Sequence, residues 1–339
     1  MNITTVGLDL AKKVFHVVCF NDRDKEVKKR MLRRNQVLEF FTQLPPCRVG
    51  MEACASAHYW GRQLSDIGHD VKLISPQHVK PYVRGNKNDY NDARAIAEAA
   101  NRPSMRFVGI KTVEEQDMQA IHRMRSQCLR DRTALSNSTR GLLGEYGIVF
   151  AKGVPTLRKK IPEILEDAEN GLSLDFRNLL ARRYEQLVEI DEHISFYTKK
   201  LERVSREDDP CQRLQTVPGF GPIVASAFRS DIGDGRAYAR GRDAAASIGL
   251  VPRQYSSGGK NVLLGISKRG NKYLRTQLVH GARAVVLQAA NKDDPLSRWI
   301  NRIREERGWN KAVVALANKM ARIGWAILRH NTIYQPSKT

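Results

Sequence analysis

Four acidic residues in the first third of the chain are of the type and spacing that divalent-cation chemistry uses. Asp9 closes the alternating, β-prone run that begins at Ile3. Glu52 closes a second apolar run, from Cys47, in the same way. Asp89 and Asp92 stand three residues apart in a polar stretch that starts at Lys87, and in a helix that spacing puts both on one face. Carboxylates gathered at one sheet edge repel each other, and divalent cations relieve the repulsion. Taken singly, an acid at a strand end is usually a turn or cap residue. Asp92 alone could balance Arg94 or the helix dipole. The joint pattern is far more specific than its parts.

A second group of residues suits phosphate. Gly249 to Lys260 is a glycine-rich loop that holds Ser256 and Ser257 and carries Arg253 and Lys260. It leads to Lys268, Arg269 and Arg275, near the start of an amphipathic helix with Leu274, Leu278, Ala282 and Val285 inward. A serine in such a loop is, unaided, an ordinary flexible residue. Gly219-Phe220-Gly221 lies between two helical stretches, as in helix-hairpin-helix turns. There glycines admit phosphates and the following helix offers free N–H groups. Pro222 removes one donor but suits a first turn. The same composition also makes a plain turn. A third glycine for a dinucleotide loop is missing.

The elements that must position these residues follow from periodicity. Strands are expected at 3–9, 14–20 and about 25–28, then a helix capped by Asn35, then the strand ending at Glu52. A helix at about 58–67, a strand at 70–74, a helix opened by Pro76 and the Asp89–Asp92 helix complete an α/β layer with mixed strand directions. From about 112 to 146 the chain is rich in Arg, Gln and Ser, with Ile121, Cys128, Leu135 and Leu142 at intervals of seven. A loop is expected around Gly153, Pro155, Pro162 and Gly171. A helix from about 174 to 204 follows, striped by Leu187, Ile190, Ile194, Tyr197, Leu201 and Val204. That stripe is either a coiled-coil seam or the inner face of a helical hairpin. Asp208-Asp209-Pro210 marks a break, and two further amphipathic helices fill residues 292–337.

Composition bounds the function. The chain has 339 residues and a formal net charge of +21, with a pI near 10.0. The excess is spread along the sequence and points to a polyanionic partner. Five cysteines without a C-x-x-C pair indicate neither a zinc ribbon nor a disulfide framework. No signal-peptide core and no membrane-length apolar run is present, so a cytoplasmic protein is expected.

The wording G-L-D-L-A-K, G-M-E-A and K-N-D-Y-N-D-A-R-A-I-A resembles the DEDD transposases of the insertion-sequence-110 family, also called bridge-RNA-guided recombinases. The strand order and acid placement resemble the RNase H-like fold of RuvC-type nucleases. The serine loop and the K-R-G-N-x-x-L-R stretch resemble the second motif of the same family. The resemblance covers nearly the whole chain. It implies an α/β RNase H-like (RuvC-type) N-terminal domain over 1–108 and an α-helical coiled-coil, dimerising middle over 109–208. A mainly α transposase domain over 209–339 completes it.

It further implies that Asp9, Glu52, Asp89 and Asp92 are catalytic and hold Mg²⁺, and that Ser257 is the nucleophile, with Ser256 competing for that role. Gly219, Gly221, Arg253, Lys260, Lys268, Arg269 and Arg275 would face nucleic acid. The implied activity is excision and insertion of a mobile element in double-stranded DNA through a covalent phosphoserine. A structured guide RNA would select sites, and a homodimer or homotetramer would bring the acids of one subunit to the serine of another. The expected setting is the bacterial cytoplasm, at the nucleoid during action. Two alternatives stand beside this. One is a metal-dependent RuvC-like junction nuclease whose serine loop only binds DNA. The other is a non-catalytic, basic nucleic-acid-binding protein.

Overall fold

The computed structural model describes residues 2–86 and 88–336. Lys87, the first residue of the K-N-D motif, and the last three residues of the expected C-terminal domain lie outside that set. The chain divides into two compact units: residues up to 114 with 232–239, and residues 115–231 with 240–339.

The first unit is built on a six-stranded sheet. Its elements are β1 (Ile3–Asp9), β2 (Val14–Asn21), β3 (Glu26–Arg33), α1 (Val37–Thr42), β4 (Arg48–Glu52), α2 (Ala57–Asp66), β5 (Asp70–Ile74), α3 (Pro76–Val79), α4 (Asp89–Ala100) and β6 (Phe107–Val108). The strand order is β3-β2-β1-β4-β5-β6. Strands β1 to β3 are antiparallel neighbours, β4 and β5 run parallel to β1, and β6 returns antiparallel on β5. This is the mixed α/β layer expected, with β6 as an addition too short to show in a sequence pattern. Asn35 does not cap α1: it sits inside a 3₁₀ turn, Arg34–Gln36, that precedes the helix.

Alternation along the strands assigns the two faces. Val6, Leu8, Phe15, Val17, Val49 and Met51 bury against α1 and α2, where Phe15 meets Trp60 edge-on at 5.3 Å. The opposite face carries Gly7 and Gly50, which are register partners on β1 and β4. Both must be glycine because α4 lies directly on them. A Cβ on Gly7 would fall 1.9 Å from the Ala93 carbonyl oxygen, and one on Gly50 would fall 2.8 Å from Ala100 Cβ. Small residues on both sides bring helix and sheet into backbone contact.

The second unit is helical apart from one hairpin. It contains α5 (Val113–Gly144, from Glu115 on), α6 (Val154–Glu166), α7 (Leu174–Glu207), α8 (Asp209–Gln215), α9 (Pro222–Ile232, to Asp231), α10 (Gly241–Ser247), β7 (Pro252–Gln254), β8 (Leu263–Ile266), α11 (Lys272–Ala289), α12 (Pro295–Arg307) and α13 (Trp309–His330). Helices α5 and α7 form an antiparallel hairpin: Arg132 pairs with Asp191 at 2.8 Å, and Arg125 donates to Thr198 at 2.8 Å. Leu187, Ile194 and Leu201 are buried within this single chain. Of the two readings of the stripe, the inner face of a helical hairpin is the one realised. The interval of seven in α5 is not its seam, because Leu142 is exposed and only Leu135 of that set is buried.

The loop expected around Pro155 and Pro162 is a helix, α6. Pro155 occupies its first turn, where no donor is needed, and Leu157, Ile161 and Ile164 form a core with Leu180 and Leu187. Packing of that apolar stripe overrides the internal Pro162. Arg177 then satisfies the carbonyls of Ile164 and Leu165 at the end of α6. In α11 the buried position is Val286 rather than Val285, one step further round the helix.

A buried polar chain joins α5, α9 and α11. His122 Nδ1 lies 2.9 Å from the Tyr273 hydroxyl and Nε2 lies 3.0 Å from Ser226 Oγ, which itself donates to the Pro222 carbonyl. A neutral imidazole satisfies every member: Nδ1 accepts from Tyr273 and Nε2–H donates to Ser226. Burial, helped by the nearby Arg125, lowers the His122 pKa to about 4. All five cysteines are free. Among the described residues, no helix is long and apolar enough to cross a membrane.

Candidate active site and nucleic-acid interface

The strand alternation that assigns Gly7 and Gly50 to the α4 face assigns Asp9 and Glu52 to it as well, since each acid is two residues beyond its glycine. Asp9 ends β1 and Glu52 ends the neighbouring β4. Helix α4 starts over this edge. The Asn88 side chain caps it by accepting from the Tyr90 N–H, so Asp89 and Asp92 both fall in the first turn. The two glycines therefore do more than pack: they set the height at which α4 delivers its acids to the strands.

The electrostatics reflect the closeness of these carboxylates. Burial, then the charges of Asp92 and Asp89, push the Asp9 carboxyl above its ordinary pKa, against the opposing pull of His16 and the Leu10 N–H. Burial, then Asp9 and Asp92, push Glu52 up too. Arg94 does not relieve this charge. Its guanidinium pairs with Glu26 at 2.7 Å and donates to Asn91 at 2.8 Å, so balancing Arg94 is not the role of Asp92. The dipole contribution of two acids in a first helical turn remains real and modest.

His16 is a member of this face that the sequence reading did not single out. It is the cross-strand partner of Asp9, lies 3.4 Å from Asp89 through Nδ1, and stacks edge-on to Tyr90 at 4.8 Å. The signal was present: a tight antiparallel connection between Asp9 and Val14 puts residue 16 opposite residue 9, on the same face.

Hard oxygen donors of this kind suit Mg²⁺ or a similar divalent cation. The accumulated, mutually unfavourable charge at half-buried Asp9 and Glu52 is the feature that such an ion would relieve. The set is an open one: among the described residues, no three His, Cys, Asp or Glu side chains already close around a metal position.

Ser257 lies in a different kind of place. The glycine-rich loop is the tip of the β7–β8 hairpin, whose strands are too short to be visible as a periodic pattern. Ser257 and Lys260 bridge across the tip, with the Lys260 N–H donating to the Ser257 carbonyl at 3.1 Å. Gly258 and Gly259 take φ of 55° and 79°, the two successive left-handed positions of a tight hairpin turn. Ser257 is exposed and its hydroxyl has no hydrogen-bond partner among the described residues. The Ser256 hydroxyl accepts from Gln254 at 3.0 Å.

The flanking motifs divide into support and contact. Gly249 and Gly270 are structural. A Cβ on Gly249 would fall 2.2 Å from the Arg269 carbonyl oxygen, and one on Gly270 would fall 1.7 Å from that of Ser247. Arg275 donates to the carbonyls of Ile248 and Arg269 at 2.8 and 2.9 Å and so ties the two motifs together at the hairpin base. Arg253, Lys260, Lys268 and Arg269 are left exposed. Lys268 holds a left-handed φ of 56°, and its N–H donates to the Gly249 carbonyl at 3.1 Å.

The Gly219–Gly221 turn splits likewise. Gly219 has φ 91° and leaves 2.8 Å between its would-be Cβ and Met320 Cε, so packing against α13 and Gly281 accounts for it. Gly221 is exposed with open space around it.

Comparison with known proteins places the chain in a family. Residues 6–148 match a family described as "Transposase", of the DEDD type, and residues 211–296 match one described as "Transposase IS116/IS110/IS902 family". A "Probable family 20 transposase" of Pseudomonas aeruginosa is 48% identical over 99% of this chain and 100% of its own. The "Transposase for insertion sequence element IS1111A" of Coxiella burnetii is 46% identical over 98% of this chain and 92% of its own. The "Transposase for insertion sequence element IS1328" of Yersinia enterocolitica is 40% identical over 98% and 99%. With identity of that order running from end to end, the chain belongs to the IS110/IS116/IS902 family of transposases.

Proposed function

We propose that this transposase cuts and rejoins double-stranded DNA by attack of Ser257 on a phosphodiester, assisted by the acidic face of the first unit. The observation that carries the reading is the pairing of two features. Four carboxylates share one sheet edge with their charge unrelieved by Arg94. An exposed serine stands at a hairpin tip among exposed Arg253, Lys260, Lys268 and Arg269.

In this reading the Ser257 Oγ–P bond forms as the P–O3′ bond breaks. The serine hydroxyl loses its proton and the departing 3′ oxygen gains one. The phosphodiester energy stays in the phosphoserine, so rejoining needs no nucleotide cofactor. Arg253, Lys260, Lys268 and Arg269 hold the phosphate and balance its charge. Asp9, Glu52, Asp89 and Asp92 would hold Mg²⁺, which supplies Lewis-acid polarisation of the phosphate. His16 orients Asp89.

The proton acceptor for Ser257 lies outside the hairpin, which supports an assembly of two or four chains in which acids and serine come together. A structured RNA would select the sites by base pairing, and the charge of +21 suits a protein that handles two polyanions. We retain the three-part division at 108 and 208 as the functional one: acidic domain, helical spacer, serine domain.

The test is denaturing electrophoresis of the protein with end-labelled element DNA and Mg²⁺, followed by mapping of any linked peptide. A DNA-linked band on Ser257, absent in Ser257→Ala, is expected. One observation favours a second reading, a metal-dependent nuclease in which the hairpin only binds DNA: Ser257 has no base beside it. Hydrolysed ends with no linked band would establish that reading instead.

A further inference from the structure

The second unit holds a large groove that none of the motifs above accounts for. It has a volume of about 1660 Å³ and runs between the start of α10, strand β8 and helices α12 and α13. Small-molecule pockets usually measure about 300–1000 Å³, so this is the size of a polymer site.

Its rim is basic. Arg240 and Arg242 come from the α10 end, and Arg302 and Arg307 from α12. Lys311, Lys319 and Arg322 come from α13, and the single acid in the lining is Glu306. Seven cations against one anion is a net +6 along one surface, too one-sided for a solvated face of mixed charge. All but Lys319 of the cations are exposed. Lys319 lies over the Trp299 ring at 4.5 Å.

The floor is apolar and aromatic. Trp299, Ile303, Ile323 and Trp325 line it, and the exposed Leu263 and Leu264 of β8 form one wall. A duplex keeps its base faces stacked inside and shows only backbone and groove edges, so it has no base face to lay on such a floor. A single strand presents both phosphates and free base faces. A basic groove with aromatic platforms is the combination that tracks it.

We propose that this groove binds a single-stranded segment of nucleic acid, with phosphates on the Arg/Lys rim and bases against the tryptophan-lined floor. Strand β8 continues from the groove wall into the hairpin that carries Ser257. The groove therefore leads a strand towards the serine. The inference rests on the proposed function only in taking nucleic acid as the substrate class.

The test uses the full chain and fluorescein-labelled oligonucleotides: an unstructured pyrimidine single strand, as DNA and as RNA, and a duplex. The triple variant Arg302→Ala/Lys311→Ala/Arg322→Ala removes three exposed cations, and circular dichroism checks its fold. Anisotropy titrations should show about tenfold weaker single-strand binding, and a log–log salt slope shallower by roughly 2, at about 0.7 per single-strand phosphate. Duplex binding should fall much less. The variant with lysine at Arg302 and Arg322 should restore most of the single-strand affinity.

Unchanged single-strand binding in the triple variant would overturn the proposal and leave the rim to some other acidic partner. An equal loss for duplex and single strand would overturn it in favour of a duplex groove. The two readings fail separately. Predicted groove binding without a phosphoserine adduct removes the serine mechanism alone, whereas an adduct with normal single-strand binding by the triple variant removes the groove alone.

Discussion

The acidic edge and the serine hairpin are built in opposite ways. Asp9 and Glu52 sit half-buried on adjacent strands in the middle of a six-stranded sheet, with α4 pressed onto the same face through Gly7 and Gly50. Little there can move without moving the core. Ser257 stands at the tip of a two-stranded hairpin, exposed, with open space around Gly258 and Gly259. The difference has a physical logic. Like charges held close together need a rigid frame, because repulsion would otherwise spread them. Under the proposed mechanism, a nucleophile that must reach a DNA backbone needs access, and it would take its base and its metal from the acidic face of another chain. The fold would then preorganise one half of that chemistry, and assembly would complete the other.

The largest expected effect breaks the preorganised half. Asp9→Asn or Glu52→Gln removes one anionic oxygen donor and leaves the basic surfaces untouched. Strand cleavage in Mg²⁺ should fall by at least roughly a hundredfold, while nucleic-acid binding stays within about twofold of wild type. Cleavage assays at saturating DNA decide this. Wild-type rates in both variants would remove the acids from the chemistry and leave the hairpin as the only candidate site.

The same substitution placed in each region sharpens the contrast. Gly7→Ala forces a methyl into the Ala93 carbonyl, and overpacking of that kind costs about 1–3 kcal/mol or more. It should also lift α4 off the sheet, carry Asp89 and Asp92 away from Asp9, and reduce cleavage beyond the loss of folded protein. Gly258→Ala meets no atom within 4 Å and pays only for a φ of 55°, about 1 kcal/mol. Urea melts, with cleavage measured on the folded fraction, separate the two. Equal stability losses would mean that α4 is not clamped as described.

How much of this was legible in the sequence divides along the same line. The acid face was readable because periodicity of two fixes which residues share a face, and because an acid placed two residues after a buried glycine inherits that face. Asp9 and Glu52 share a face for that reason, and the spacing of three in α4 puts Asp89 and Asp92 in one first turn over it. His16 was equally determined but needed the hairpin register, which no single-strand pattern contains.

In the helical unit the signal was weaker. Leu187, Ile194 and Leu201 read as a seam, but sequence could not say whether the partner was another chain or α5. Helix α6 was hidden by its two prolines, although Leu157, Ile161 and Ile164 carried a helical stripe. The β7–β8 hairpin is three and four residues long, and its outward-facing strands show no apolar alternation. Arg275, expected from the sequence at the nucleic acid, donates to the carbonyls of Ile248 and Arg269, while Gly249 and Gly270 meet neighbouring backbone at the hairpin base.

The two regions should also respond to pH with opposite signs. Asp9 and Glu52 have raised pKa values, so without metal the folded first unit binds more protons than the unfolded chain. The stability this gives is present below the ordinary carboxylate range and is lost as pH rises through the folded values. His122 is the reverse. Its pKa falls from 6.5 to about 4, so the unfolded chain takes up protons first. The contribution of His122 to the stability of the second unit is present above its unfolded pKa of 6.5 and is lost as pH falls towards 4. Between pH 7 and 5 that amounts to up to about 2 kcal/mol. Hydrogen exchange without metal, followed for α11 from about pH 7 to 4 and for β1 from about pH 7 down through the ordinary carboxylate range, reads the two signs. The α11 response should vanish in His122→Gln. A parallel drift of both regions would mean that the two sites do not govern their own units.

The smallest effect tests how the hairpin base is divided between support and contact. Lys268 and Arg269 are exposed, and Arg275 spends its guanidinium on the carbonyls of Ile248 and Arg269. Lys268→Ala and Arg269→Ala should each weaken duplex binding slightly and flatten the log–log salt slope by about 0.9, the release accompanying one duplex phosphate contact. Arg275→Ala should instead leave two carbonyls without their donor and lower stability by about 1–3 kcal/mol. Its salt slope should stay at the wild-type value once the fraction folded is corrected for. A flattened slope in Arg275→Ala with unchanged stability would return that residue to the interface. Unchanged slopes in Lys268→Ala and Arg269→Ala would take both cations off the DNA and leave Arg253 and Lys260, at the serine's own strands, as the phosphate contacts of the hairpin.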